Sequence, residues 1–150
     1  MGRNTSAMKG GWNVDRINGV LEAWYNGSNV GTFKSGRIME TLTTTNVDGQ
    51  NNTISAAQIL GGIVVHTSAT GSGTATTDTA ANIIAGVPLT KNGQAIVCYY
   101  INDGDQTVTL AGGSDVTVSD TGQTIGANES AVLVFVRTAA TTVTCHILGA

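Results

Sequence analysis

Short apolar runs separated by turn residues fill the second half of the chain, and that rhythm confines it to a fold built from strands. Ala95–Ile101 reads AIVCYYI, and Asn102–Asp103–Gly104–Asp105 follows it as a tight turn. Thr107–Leu110 alternates back, Gly112–Gly113 turns again, and Asp115–Val118, Ser130–Arg137 and Thr142–Leu148 complete the series. Many short strands joined by Gly-bearing turns predict a meander closed into a sandwich or barrel. Earlier in the chain, Arg37–Thr43 reads as a strand entering the body, and Asp48–Gly49 marks a turn. Ile63–His66 is a continuous apolar run suited to a strand buried on both faces. Asp78–Thr79 supplies an N-cap before Ala80–Ala85, and Gly86 and Pro88 stop that segment. One short helix, about 78–86, is therefore expected, too short to stand without packing. The pattern predicts a core of Ile63, Val65, Ile83, Ile96, Cys98, Val132, Val134, Val143 and Ile147. No repeat of 20–50 residues is visible, which excludes a solenoid or propeller.

Composition says what kind of surface these strands present. The 150 residues suffice for one domain with a real core. Only 11% are charged, against roughly 25% in an ordinary soluble protein. Thr, Gly, Ala and Asn take their place, so the strand faces carry neutral hydroxyls where Lys and Glu are usual. Such a surface lacks the charges that blunt sheet edges and keep a monomer soluble, which points to an assembled protein. With 41% hydrophobic residues, the chain does not have the composition of a disordered one.

The charge is unevenly spread. Residues 1–40 hold Arg3, Lys9, Arg16, Lys34 and Arg37 against Asp15, Glu22 and Glu40, whereas residues 41–150 hold only Lys91 and Arg137 against seven carboxylates. Both tryptophans, Trp12 and Trp24, also lie in the first 40 residues. This divides the chain into a basic N-terminal arm or hairpin extension, 1–40, and an acidic strand-built body, 41–150. Gly10–Gly11, Asn18–Gly19 and Asn26–Gly27 punctuate the first segment as turns. Val20–Tyr25 between them fits a strand or a helical turn. An arm crossing a neighbour's surface and a first hairpin folded onto the same domain are both compatible with it.

Several function classes find no support. A nucleic-acid-binding domain calls for a dense basic patch and a high pI, and the pI here is about 5.1. No apolar stretch approaches the roughly 18 residues of a membrane span. The opening, MGRNTSAMKGGWNVD, has no hydrophobic centre of a secretory signal. Assembly in the cytoplasm is expected, although a processed exported chain is also compatible. Cys98 and Cys145 lie in separate strands beside apolar neighbours and read as buried, unlinked thiols. A zinc site needs four close ligands, and His66 and His146 are the only histidines. Asn102–Asp105 resembles half of a calcium loop without its later ligands, so a hairpin turn explains it more simply. No Gly-x-Ser-x-Gly elbow, Walker motif or dinucleotide glycine motif occurs. The expectation is a protein with no catalytic residues, no metal and no cofactor.

Residues 53–87 add a resemblance. Thr53-Ile54-Ser55-Ala56-Ala57-Gln58-Ile59-Leu60-Gly61-Gly62-Ile63-Val64 is similar to a strand of the form T-I-T-x-A-x-L-L-G-G-I-I, and Thr77-Asp78-Thr79 to the T-D-T helix start after it. Both belong to small β-sandwich, jelly-roll-like modules of tailed-phage virions, and the resemblance covers residues 53–150. It implies an all-β, antiparallel sandwich and a non-enzymatic bacteriophage structural protein. The implied role is capsid decoration or cement, as a homotrimer in contact with the major capsid protein or other virion subunits. Nucleic acid and membrane are not expected partners. The alternatives are a receptor-recognition module of a tail or head fibre, binding through loops such as 67–77, and a small shell-forming coat protein. Aromatic residues and Arg are the usual interface anchors, so Trp12, Arg16, Trp24, Lys34 and Arg37 are the expected contacts with the shell or a neighbouring subunit. The alternative for the tryptophans is that they close the domain's own core.

Overall fold

A computed structural model describes residues 11–15, 20–25, 28–34, 37–39, 42–67, 71–119 and 123–149. The chain divides into two compact units, Met1–Leu42 and Thr43–Ala150. In the first, strands β1 (Gly11–Asp15), β2 (Val20–Tyr25), β3 (Ser28–Lys34) and β4 (Arg37–Met39) pair antiparallel in chain order. Val20–Tyr25 is thus a strand, and the β2–β3 register shifts between Ala23 and Trp24.

The second unit carries two sheets and two short helices. Its elements are β5 (Thr43–Asp48), β6 (Asn51–Ile54), α1 (Ala56–Gly61), β7 (Gly62–Thr67), β8 (Gly73–Thr77), α2 (Ala80–Gly86), β9 (Ala95–Asn102), β10 (Val108–Ala111), β11 (Val116–Val118), β12 (Thr124–Ile125), β13 (Ser130–Arg137) and β14 (Val143–Leu148). A six-stranded sheet has the order β11-β14-β13-β9-β7-β5, and a four-stranded sheet β12-β10-β8-β6. From β5 to β13 the chain changes sheet at every strand. From β5 to β10 successive visits to one sheet run in the same direction, so β5–β7, β7–β9, β6–β8 and β8–β10 are parallel pairs, and β11–β14 is parallel as well. Among the described residues of this unit, β9–β13, β13–β14 and β10–β12 are the antiparallel pairs.

This overturns the expected antiparallel sandwich and the expected meander. Parallel neighbours need crossover connections, and α1 and α2 lie in two of them, between β6 and β7 and between β8 and β9. The Asn102–Asp105 turn is likewise no hairpin, because it carries the chain from β9 in one sheet to β10 in the other. Of the loop expected at 67–77, Gly73–Thr77 is strand β8. Ile63–His66 is covered on one face only, with Val64 and His66 buried and Ile63 and Val65 part-exposed.

Helix α1 was not expected. Ser55 accepts the Gln58 amide through Oγ at 3.3 Å, and Gln58 Oε1 accepts the Ser55 amide at 2.8 Å. This reciprocal pair is a capping box. Gly62 ends the helix at φ 91°, a left-handed conformation that a residue with a Cβ adopts only with strain, and its N–H reaches the carbonyls of Gln58 and Ile59. The chain therefore passes from helix to strand without a loop. Helix α2 starts at Ala80, with Thr79 Oγ1 accepting the Asn82 amide at 3.2 Å. Asp78 ties the two helices together: Oδ2 accepts the Ala56 amide of α1, and Oδ1 accepts the Thr79 amide and the Asn82 side chain.

One core lies between the sheets. It joins Ile54, Ala75, Val108, Leu110 and Ile125 of the four-stranded sheet to Val64, Cys98, Tyr100, Leu133, Phe135, Val143 and Cys145 of the six-stranded sheet, with Ile59 and Ile83 from the helices. Of the expected core, Ile83, Cys98 and Val143 are buried. Ile96 and Ile147 pack against the cluster from part-buried positions, while Ile63, Val65, Val132 and Val134 point to the other side of the sheet. In β7 and β13 both parities are apolar, and the buried parity is the one that carries Val64, His66, Leu133 and Phe135.

Candidate functional site: an uncharged sheet face

The six-stranded sheet has a second face that no layer of the same unit covers fully. Partners across a ladder share a face, so the registers lay out its rows directly. One row runs Thr44, Ile63, Tyr99, Val132, Leu148, and the next runs Asn46, Val65, Ile101, Ser130. On the other side lie Val97, Val134 and His146, then Ala95, Val136, Thr144 and Thr117. These four rows contain no Asp, Glu, Lys or Arg. Four of their apolar side chains are open to solvent, Val97 at 42%, Tyr99 at 45%, Ile101 at 37% and Leu148 at 56%, while Ile63, Val65, Val132, Val134 and Val136 are half-buried. The apolar centre spans four strands, about 19 Å at roughly 4.8 Å per strand, and three rows, about 14–20 Å. Several hundred Å² of contiguous apolar surface is the size that marks an interaction site.

The outer face of the four-stranded sheet differs. Its rows are Asn51, Thr74, Thr109, Thr124 and Thr53, Thr76, Ala111. That face is also uncharged, but its hydroxyls keep it wetted.

The titratable groups between the sheets serve structure. His66 is fully buried. Its Nε2–H donates to the Gly49 carbonyl at 2.7 Å, and its Nδ1 lies 2.5 Å from the Tyr100 hydroxyl, which donates to it. The two rings meet edge to face at 89°. Burial holds the Tyr100 hydroxyl well above the usual phenol range. Asn52 of β6 places Nδ2 3.1 Å from Nε2 and 3.3 Å from Nδ1, while its Oδ1 is buried without a partner. The cluster pins the β5–β6 turn to the six-stranded sheet.

Cys98 and Cys145 are both buried, and no disulfide joins them. They sit opposite Leu133 and Phe135 on the two sides of β13. Two strand spacings, about 9.6 Å, separate β9 from β14, beyond the roughly 7 Å a disulfide spans.

Asn102 is also buried. Its Nδ2 reaches the carbonyls of Gln106, Ile125 and Gly126, and its Oδ1 accepts the Gly104 amide. The segment that resembled half a calcium loop is therefore organised as a buried amide knot. Among the described residues no group of three His, Cys, Asp or Glu is placed to hold a metal.

Sequence reasoning missed one pair. Ser119 Oγ lies 2.7 Å from His146 Nδ1 at the exposed edge formed by β11 and β14. A base beside a hydroxyl is the start of a nucleophilic site, but such a site also needs a group orienting the imidazole and donors for an oxyanion. No carboxylate hydrogen-bonds His146 among the described contacts. The pair fastens the end of β11 to β14.

The expected contact residues fall in the first unit. Trp12 stands opposite Ala23, and Trp24 opposite Gly11, so the tryptophans occupy adjacent rungs of β1–β2. Lys34 and Arg37 stand opposite each other where β3 meets β4. Arg16 lies outside the described residues. No family model matches the chain, and neither a curated protein nor a solved structure matches it.

Proposed function

We propose that this protein is a non-enzymatic structural subunit of a tailed-phage virion, acting as capsid decoration or cement and assembled as a homotrimer. The observation that carries this reading is the broad, uncharged, solvent-open face of the six-stranded sheet in a chain with so few charges. A surface of that kind belongs to a subunit whose neighbours cover it. The resemblance of residues 53–64 and 77–79 to virion modules supplies the class of assembly.

Attachment to the major capsid protein falls to residues 1–40 in this reading. Lys34 and Arg37 hold paired register positions of β3 and β4, and two basic residues there suit an acidic partner. Trp12, Trp24 and Arg16 provide the remaining anchors. The test is to mix the purified protein with undecorated particles and measure bound copies by sedimentation. Saturable binding in multiples of three, weakened at high salt and by the double change Lys34→Glu with Arg37→Glu, is the expected outcome. No binding to shells, with recognition of host glycans or surface protein instead, would move the protein to a fibre.

A further inference from the structure

The geometry points to other copies of this same chain as what covers the Ile63–Tyr99–Val132–Leu148 face of the six-stranded sheet. This rests on the reading of the protein as an assembly subunit, and it names the surface its copies share.

Area is the first argument. Six strands at about 4.8 Å and an average length near six residues give a face of about 600 Å² in projection, before the relief of the side chains is counted. A standard specific interface takes about 800 Å² from each partner. With the relief of the side chains counted, the whole face is comparable with that contribution.

Charge is the second argument. Residues 1–40 hold eight of the chain's seventeen charged residues, and a partner recognised by charge needs an opposite charge to meet. The four rows offer none. A copy of the chain presents the same Val, Ile and Tyr surface and needs no electrostatic complement. Tyr99 lies near the middle, on β9, with Val132 beside it on β13. An aromatic residue flanked by aliphatic ones at the centre of a patch is how interface anchors are arranged. Polar residues rim it, with Asn46 and Asp48 on edge strand β5, and Thr117 and Thr144 on β11 and β14.

The test uses the full chain. Light scattering behind size exclusion at micromolar concentration should give a multiple of the monomer mass. Tyr99→Lys and Val134→Lys should each reduce it to the monomer with unchanged far-UV circular dichroism. Thr109→Lys, on the opposite outer face, should leave the mass unchanged. Tyr99→Cys provides an arm that does not depend on tolerating a charge, since both native thiols are buried. Under mild oxidation it should yield a disulfide-linked pair of chains, whereas the parent stays uncrosslinked. A monomeric parent, or lysine variants that fold and keep the parent's mass, would overturn the inference. So would failure of Tyr99→Cys to crosslink in an oligomer of unchanged mass. Self-association that persists in a protein with no affinity for shells would sink the decoration reading and leave this one standing.

Discussion

Asp78 offers the sharpest quantitative test of the second unit, because one carboxylate serves the first turns of both helices. Its Oδ2 accepts the Ala56 amide at 3.1 Å, and its Oδ1 accepts the Thr79 amide at 2.8 Å and Asn82 Nδ2 at 2.7 Å. Losing a cap typically costs about 1 kcal/mol, with a range of about 0.5–2, and a negative charge near a helix N-terminus adds about 0.3–1 kcal/mol. Asp78→Ala removes both sets of contacts at once and should cost about 2–3 kcal/mol. Asp78→Asn keeps one acceptor oxygen and loses the charge, so about 1 kcal/mol is expected. In urea, with a slope of about 1.5 kcal/mol per molar, the alanine variant's midpoint should fall by about 1.5–2 M.

The pH dependence tests the same reasoning by another route. Partial burial raises the Asp78 pKa, but the hydrogen bonds from Asn82, Ala56 and Thr79 together outweigh it and hold the carboxyl below its ordinary value of 3.8. A folded-state pKa below the unfolded one means stability that is fully present above pH 3.8 and lost as pH falls through the lower, folded value. The parent and Asp78→Asn should therefore differ most near pH 6 and converge toward pH 2. A gap that stays constant across that range, or an alanine variant with the parent's midpoint at pH 6, would refute the account of Asp78 as a shared cap.

Three further outcomes follow from the packing. Leu133→Ala should cost about 2–5 kcal/mol, whereas Val97→Ala on the open face, measured at high dilution, should change stability by less than about 0.5 kcal/mol; urea titration distinguishes them. Gly73→Ala would drive a Cβ into the carbonyl oxygen of Gln50, which accepts the Thr74 amide at 3.0 Å, and should lower stability by about 1–3 kcal/mol in the same assay. Burial pushes the Cys98 thiol up to about 11, so about one molecule in a thousand carries the thiolate at pH 8. With Cys145 buried as well, a colorimetric thiol reagent should find no fast-reacting group in the native protein and two in denaturant.

The strand-built character of this chain was legible in its turn spacing, but the direction of the strands was not. Alternation and turn residues say that a segment is a strand and leave open which strand lies beside it. The missing clue was local: Ser55-Ala56-Ala57-Gln58 satisfies the Ser-x-x-Gln form of a capping box. Set between β-branched Thr53–Ile54 and Ile63–Val65, it passed as part of a strand. Each helix joins a strand of one sheet to a strand of the other, and that repeated crossing between sheets, which makes the neighbours β5–β7–β9 and β6–β8–β10 parallel, has no signature in the spacing of turns. Asp78 shows the same limit from the other side. The helix start at Asp78–Thr79 was legible, with Thr79 the cap, while the bond from Asp78 to Ala56, 22 residues earlier, arises only once the helices meet.

The error over the core has a physical cause that bears on function. Ser130–Arg137 and Gly62–Thr67 are apolar at almost every position, so neither parity stands out as the inner one. Val132 and Val134 look as suited to a core as Leu133 and Phe135. Such a segment has two physical meanings: a strand covered on both faces within its own unit, as in parallel sheets flanked by helices, or a strand covered once by its own unit and once by another molecule. Here the helices and the four-stranded sheet occupy one side, and Leu133, Phe135 and Tyr100 have no exposure. The other side keeps Val97, Tyr99 and Ile101 more than one-third exposed. An apolar surface of that size, with no charge to hold it apart from its like, favours association in water on the same grounds that drive the core together. The apolar residues that failed as a forecast of the unit's own interior are thus the ones that assign it an assembling face.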